Sequence, residues 1–430
     1  MINTPDRLIP PPFGKLDKID ILEAERTVLK NGIPVFKVNA GSQELVRIEM
    51  IFPRAGAVDQ PHPIVSVATN DMLDEGTENY SSSSFAEKID YYGAFLQTEA
   101  TMDFASVCLF SLNKHLPGTI PMLEEIVKRA NFPAHEFSTY IQNKKQNFLV
   151  EEAKVGTIAR KKFTQMLFGN DHPYGHYLVE NEFGSVTNKM LSAFYSGAYT
   201  AGKCHLVVSG KMDPRLDDLL NKYFGEGWES GAASAVPSNL AAELPADRNQ
   251  LIEKKDAVQS AIRIGRRLFN KTHPDFLGMQ VLNTILGGYF GSRLMSNIRE
   301  DKGYTYGIGS GLVSLKKAGY FFISTEVGVD VCSSALKEIY YELKRLRTEL
   351  IPVEELDLVK NYMLGTFLRS VDGPFSLADK FKGIYDFGLG YDYYQKYINT
   401  IKCIDSQALI SLANKYFQEE DLFELVVGKK

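Results

Sequence analysis

Residues 287–311, GGYFGSRLMSNIREDKGYTYGIGSG, hold the densest group of side chains able to act on a peptide. Arg293, Arg299, Tyr304 and Tyr306 fall within it, among several glycines. A guanidinium presents fixed donors and a phenol one more, and both can hold peptide carbonyls. Leu294 and Ile298 are four apart and predict a buried helical stripe, which leaves Arg293 and Arg299 to emerge on other faces. The helix is expected to stop near Gly303, with Tyr306 opening a strand. Arg299 and Tyr306 could equally do no more than tie a helix end to that strand. The residues alone leave both readings open.

Metal chemistry has less to work with. The chain has seven histidines, and only His172 and His176 lie close together, in HPYGH. Pro173 and Gly175 argue against a helix there, so a turn with hydrogen-bonded or solvated imidazoles is expected rather than a zinc site. No H-E-x-x-H or H-x-x-E-H string occurs. The four cysteines, Cys108, Cys204, Cys332 and Cys403, never form C-x-x-C and read as small buried hydrophobes in a reducing compartment. No G-x-S-x-G, P-loop or helix-opening G-x-G-x-x-G is present. GGYFGSR follows a helical pattern, so it makes a poor phosphate cradle.

The elements that must position these residues belong to an ordinary globular protein. It has 430 residues, 44% hydrophobic and 23% charged, which excludes a disordered or collagen-like polymer. A net charge of −5 gives no field to hold nucleic acid or an anionic membrane. No window nears the twenty apolar residues of a membrane span. No signal peptide is read at the N-terminus, where Pro10-Pro11-Pro12 presets an extended arm. The expectation is a soluble cytoplasmic protein.

Along the sequence, TVLKNGIPVF reads as a hairpin around Asn31-Gly32, a type I′ signal. LVRIEMIF alternates as a half-buried strand. Residues 61–73 are expected to be helical, with Ile64, Val67, Ala68 and Met72 on one face. Ser81–Ser84 offer N-caps to a helix ending at Gly93. A β-rich stretch comes next, then helices over 119–129, 135–154 and 158–167. A capped helix and a short strand close the first half. The second half repeats this order. SAIRIGRRLF matches LVRIEMIFPR, and the terminal DSQALISLANKYFQEEDLFELVVGK matches TNKMLSAFYSGAYTAGKCHLVVSGK. The expectation is an α+β protein of two domains of one fold, 1–228 and 251–430, joined by an Ala/Ser/Pro-rich linker at 229–250.

Four strings then carry a resemblance: LKNGIPVF, MLDEGT, HPYGHYLVENEFGSVTNKMLSAFYSGAYTAGKCHLVVSGKMD and GGYFGSRLMSNIREDKGYTYGIGS. They resemble the pitrilysin/insulinase family of metallopeptidases, in its short two-domain, processing-peptidase-like branch. In catalytic members an inverted H-x-x-E-H zinc motif directly precedes a string like MLDEGT. Here that place reads Val67-Ala68-Thr69-Asn70-Asp71. The resemblance puts Val67 and Asp71 at the two histidine positions, Asn70 at the glutamate, and the third ligand at Glu151 or Glu152. Valine coordinates nothing, and an amide is no general base near neutral pH.

The resemblance therefore implies a protein without catalytic zinc and inactive alone. What it retains is the family's second-domain pair, Arg299 to bind a substrate carbonyl and Tyr306 to support the scissile carbonyl or its oxyanion, with Tyr304 and Arg293 left as packing or support. The implied function is the non-catalytic subunit of a heterodimeric zinc peptidase. A homologous partner chain would hold the zinc, and the pair would cleave oligopeptides or unfolded polypeptides. Substrate would lie extended on a sheet edge, for which 95–101 is the candidate. The alternatives are a scaffold protein of the same fold and an active peptidase with an atypical site.

Overall fold

The structure, a computed structural model, describes residues 19–60, 62–228 and 247–430. Most of the expected linker, 229–246, lies outside them, and its last residues, Asn249 and Gln250, already open a strand.

Two sheets organise the molecule. The first uses β1 (Glu25–Val28), β2 (Pro34–Asn39), β3 (Leu45–Phe52), β4 (Phe95–Ala100), β5 (Ala105–Leu112) and β6 (His205–Gly210), in the order β1-β2-β6-β3-β5-β4. The second uses β7 (Asn249–Glu253), β8 (Gln259–Leu268), β9 (Ile308–Ser314), β10 (Gly319–Gly328) and β11 (Phe423–Gly428), in the order β7-β11-β8-β10-β9. In each, the half's last strand runs parallel to an early one, β6 to β2 and β11 to β7, and the other pairs are antiparallel. The second order is that of the first with β1 left out. The fold is thus α+β and duplicated, as the repeated element order predicts.

The turn at Asn31-Gly32 corrects one detail. Gly32 is left-handed at φ 93°, but Asn31 is not, so the turn is not type I′. The Leu29 and Gly32 amides donate to the carbonyls of Ile33 and Leu29 at 2.9 Å each, which makes a three-residue loop closed by a left-handed glycine. Helix starts obey their caps. Ser81 accepts from the Ser84 amide to begin Ser82–Tyr91, and Thr187 accepts from the Met190 amide to begin Asn188–Ala198.

Four helices position the candidate site and join the halves: α1 (Pro63–Asp71), α2 (Ala134–Glu151), α3 (Val155–Phe168) and α4 (Pro374–Tyr385). The last two are exchanged between the halves. α3, from the first half, lays Ile158, Ala159 and Phe163 against Ala261, Leu425 and Val427 of the second sheet. α4, from the second half, lays Leu377, Ala378 and Phe381 against Phe36, Val38 and Val207 of the first. Each large side chain buried this way contributes on the order of 2 kcal/mol. Ion pairs border the second contact, Arg47 with Asp379 at 2.9 Å and Lys382 with Glu49 at 2.7 Å.

β4 ends the first sheet, so one side of the 95–101 candidate is an open edge. Cys108, Cys204 and Cys332 are buried, but Cys403 is exposed, and all four are free thiols. Among the described residues no helix is long and apolar enough to cross a membrane.

Candidate functional site

The positions that the resemblance assigns to a zinc motif lie on α1 and face α2. Val67 lines a cavity of about 540 Å³ together with Met102, Tyr140, Lys144, Phe148 and Glu151. It brings a hydrocarbon where a ligand would be needed. Asn70 is fully buried, accepts from the Tyr199 hydroxyl at 2.9 Å and donates to the Ser106 carbonyl at 3.4 Å. Its amide is a structural tie between α1, β5 and the segment that leads into β6. Burial holds the Tyr199 phenol well above its ordinary range, so it stays a neutral donor.

Asp71 is claimed by two donors from α2. The Tyr140 hydroxyl and the Lys144 ammonium each stand 2.8 Å from its Oδ2. Tyr140 and Lys144 are four apart, so one face of α2 delivers both. Burial first, and then the Asp71 charge, push the Tyr140 phenol upward. A cation already neutralises this carboxylate, and the cation is a lysine.

Glu151 and Glu152 part company at the end of α2. Glu151 lines the Val67 cavity and accepts from Lys154 at 2.6 Å and Thr157 at 3.0 Å, and the Lys154 bond holds its carboxyl below the ordinary range. Glu152 turns away to Lys161 and the Tyr177 hydroxyl. Of the two, Glu151 shares the cavity with Val67.

This set does not fit zinc. Three donors with a free lone pair are needed, and of the three ligand positions Val67 is hydrocarbon while Asp71 and Glu151 are carboxylates already paired with Lys144 and Lys154. Among the described residues no group of three or more His, Cys, Asp and Glu side chains could hold a metal ion. The His172/His176 turn is built as expected. His172 is buried and its Nδ1 accepts from the Tyr174 amide at 3.0 Å, while His176 bonds Glu182 at 2.8 Å.

The second-domain residues sit on a different element. Met295–Asp301 is wound as a π-helix rather than an α-helix, a wider turn that carries Arg299 on its last turn. Leu294 and Ile298 are fully buried, as the stripe predicts. Gly303 takes φ 65° and ends the helix. Arg293 is a supporting residue, though it departs from the helical-face pattern. It does not emerge but is buried, forming two bonds of 2.8 Å with the Glu355 carboxylate. That bidentate pair anchors the start of the π-helix. The Tyr304 ring packs on the second core and its amide bonds the Ile298 carbonyl at 3.0 Å.

Tyr306 is 96% exposed. The strand opens at Ile308, two residues later than expected, because Thr305 ties the connection to the Gly307 and Glu326 carbonyls. Arg299 lies over the Phe290 ring at 4.6 Å, and the nearest carboxylate, Glu300, is 3.9 Å away. Neither Arg299 nor Tyr306 lines the Val67 cavity. Within one molecule the two sets of residues do not form one centre.

Sequence reasoning missed Tyr140, Lys144 and Tyr199. The i,i+4 spacing of a tyrosine and a lysine on a predicted helix was the available signal for the first two. Tyr199 gave none.

Comparison with known proteins agrees with this picture. Residues 185–363 match the family profile described as Peptidase M16 inactive domain. The zinc protease YmxG of Bacillus subtilis is 24% identical over 368 residues, covering 83% of this chain and 86% of that protein. The non-peptidase homolog YmxG of Helicobacter pylori is 23% identical over 373 residues, covering 84% and 83%. The crystal structure of a peptidase M16 inactive domain from Pseudomonas fluorescens superposes with a TM-score of 0.84 at 23% identity, covering 95% of this chain and 98% of that one. Residues 185–363 are thus similar to the inactive domain of the peptidase M16 family, on a fold shared with the Pseudomonas fluorescens structure.

Proposed function

We propose that this protein is the non-catalytic subunit of a heterodimeric zinc peptidase. One observation carries the reading. The Tyr306 phenol is almost wholly exposed, on a connection that Thr305 ties to the Gly307 and Glu326 carbonyls, while the protein's own motif positions are filled by side chains. A residue that only tied helix to strand would be half-buried and hydrogen-bonded, as Thr305 is.

In this reading a homologous partner with an intact H-x-x-E-H holds the zinc. Arg299 donates to a carbonyl of the bound oligopeptide or unfolded polypeptide and fixes its register. Tyr306 donates its hydroxyl proton toward the scissile carbonyl oxygen, where negative charge develops. The substrate strand adds to the free edge of β4, whose unpaired amides and carbonyls supply main-chain bonds. A reducing, cytoplasmic setting is part of the proposal and is supported by four free thiols.

The test is reconstitution with a zinc-binding homologue and an oligopeptide assay. Activity should appear only in the mixture and fall with Arg299→Ala and Tyr306→Phe. Unchanged activity in both variants overturns the assigned roles. A second reading, a scaffold protein of the same fold, is favoured by the closed Asp71–Lys144 pair. It requires that no partner gains activity from this protein.

A further inference from the structure

The duplicated sheets allow residues to be matched rung by rung, and one matched pair differs in charge. Ala100 and Ala105 close the β4–β5 hairpin, and Ser314 and Gly319 close β9–β10. Five residues along β5 from Ala105, Phe110 pairs with Arg47; five along β10 from Gly319, Ser324 pairs with Arg263. Arg47 and Arg263 therefore hold the same rung.

The exchanged helices above them correspond as well. Thr157-Ile158-Ala159-Arg160-Lys161 of α3 reads against Ser376-Leu377-Ala378-Asp379-Lys380 of α4. Ile158 and Leu377 are each 7% exposed and Ala159 and Ala378 each 0%, so the same helix face meets the sheet in both copies. Arg160 thus stands where Asp379 stands.

In one copy the arrangement is complete. Arg47 donates to the Asp379 carboxylate at 2.9 Å and the Phe375 carbonyl at 3.2 Å, with its guanidinium over the Phe375 ring at 5.3 Å. In the other copy the carboxylate is replaced by a second guanidinium. Gly156 stands where Phe375 stands, and Arg263 lies instead 5.3 Å over the Phe322 ring of β10. Among the described residues neither the Arg160 nor the Arg263 side chain makes a hydrogen bond or ion pair.

Both arginines line one groove of about 570 Å³ between the halves. Lys154 and Lys254 line it too, against the carboxylates of Asp256 and Glu326. Glu326 also packs against α3. Its Oε1 occupies the space that a Cβ on Gly156 would take, so the carboxylate rests on the first turn of α3. Burial holds the Arg263 guanidinium below its ordinary range; Tyr320 opposes this, Arg160 adds to it, and Glu326 opposes it least. Like charges brought together and partly stripped of water are costly unless an anion joins them. Thr157 and Arg160 also line the Val67 cavity, so the two spaces adjoin.

We propose that Arg160 and Arg263 form a carboxylate-binding site, which takes a carboxylate of a bound polypeptide where Asp379 sits in the other copy. The carboxylate is either the polypeptide's C-terminus or an Asp or Glu side chain. Only the identification with polypeptide rests on the function proposed above. Two guanidiniums match a carboxylate's oxygens with charge-assisted bonds, and such a contact changes affinity by roughly tenfold to a hundredfold.

The test measures binding of labelled oligopeptides to the full-length protein by fluorescence anisotropy. An acidic peptide is compared with its neutral counterpart, amidated and with Asn and Gln for Asp and Glu. Two intermediates, each keeping only one kind of carboxylate, identify the source. The acidic form should bind at least about tenfold tighter, and Arg263→Gln should erase the preference. Arg160→Asp, which restores the Arg47–Asp379 arrangement, should erase it without lowering the thermal midpoint. Equal binding of both peptides, or a preference that survives these variants, overturns the site while leaving the peptide reading intact. If no peptide binds, the peptide reading fails and succinate alone decides. Saturable thermal stabilisation lost in Arg160→Asp keeps the carboxylate site, and its absence overturns it.

Discussion

The Lys144 ammonium stands 2.8 Å from the Asp71 carboxylate, with the Tyr140 hydroxyl at the same distance on the same oxygen. A fixed positive charge occupies the neighbourhood to which the resemblance assigns a zinc motif. The substitution is thus more than a lost ligand, since the ammonium also repels any cation that enters.

Purified protein, dialysed against excess zinc and then buffer, should therefore retain well under one zinc per molecule. Metal analysis checks this directly. A stoichiometric zinc that survives dialysis would sink the reading of the site.

Arg299 and Tyr306 should separate function from stability. Tyr306→Phe removes one exposed hydroxyl, so the stability measured in urea should move by no more than about 0.5 kcal/mol. In the reconstituted pair the same change should lower kcat on the order of a hundredfold, the usual loss for one oxyanion donor. Arg299→Ala should act mainly on KM if it binds a ground-state carbonyl. A fall in activity that tracks a fall in stability would assign both residues to folding instead.

Acid should loosen the contact between the halves. His205 is buried beside Phe36 and Tyr385, and its Nε2 has no hydrogen-bond partner among the described residues. Burial, helped by Lys316 and Lys382, pushes the imidazole down to about 4 from 6.5. With the folded value below the unfolded one, the unfolded state binds the extra proton. Stability from this group is then full above 6.5 and is lost as pH falls toward 4. The loss is about 3 kcal/mol. Urea titrations across that range should show the slope, and His205→Phe should flatten it. An unchanged slope in the variant would place the acid sensitivity elsewhere.

Glu49 and Lys382 offer a sharper lesion. Glu49 is buried, and its two oxygens take Lys382 at 2.9 and 2.7 Å. Glu49→Ala leaves the lysine without its main counter-charge in a half-desolvated place and should cost about 3 kcal/mol. Replacing both, as Glu49→Leu with Lys382→Met, should recover much of that. Denaturant unfolding of the two variants decides, and a double variant no better than the single would refute the explanation.

What the sequence discloses here is local. Leu294 and Ile298 announce a buried stripe, Gly303 its end, and Ser81 and Thr187 the starts of helices, because each acts on its immediate neighbours. The missing parts depend on distant segments. Arg293 looks like a free surface cation until Glu355 is brought against it. Val67, Asn70 and Asp71 disclose a lost motif, but the lysine that closes it comes from another helix. The left-handed Gly32 is legible, and the loop length around it is not, since a single extra residue changes the turn. The π-winding of Met295–Asp301 has no marker in the pattern, as apolar spacing at four residues suits either helix.

The helix exchange has a mechanical consequence. With α3 seated on one sheet and α4 on the other, pulling the halves apart would strip Ile158 and Phe163 from one and Leu377 and Phe381 from the other at the same moment. No hinge of low resistance exists along that seam. In the proposed heterodimer, a polypeptide would then be admitted by movement between the subunits, with this one moving as a single body.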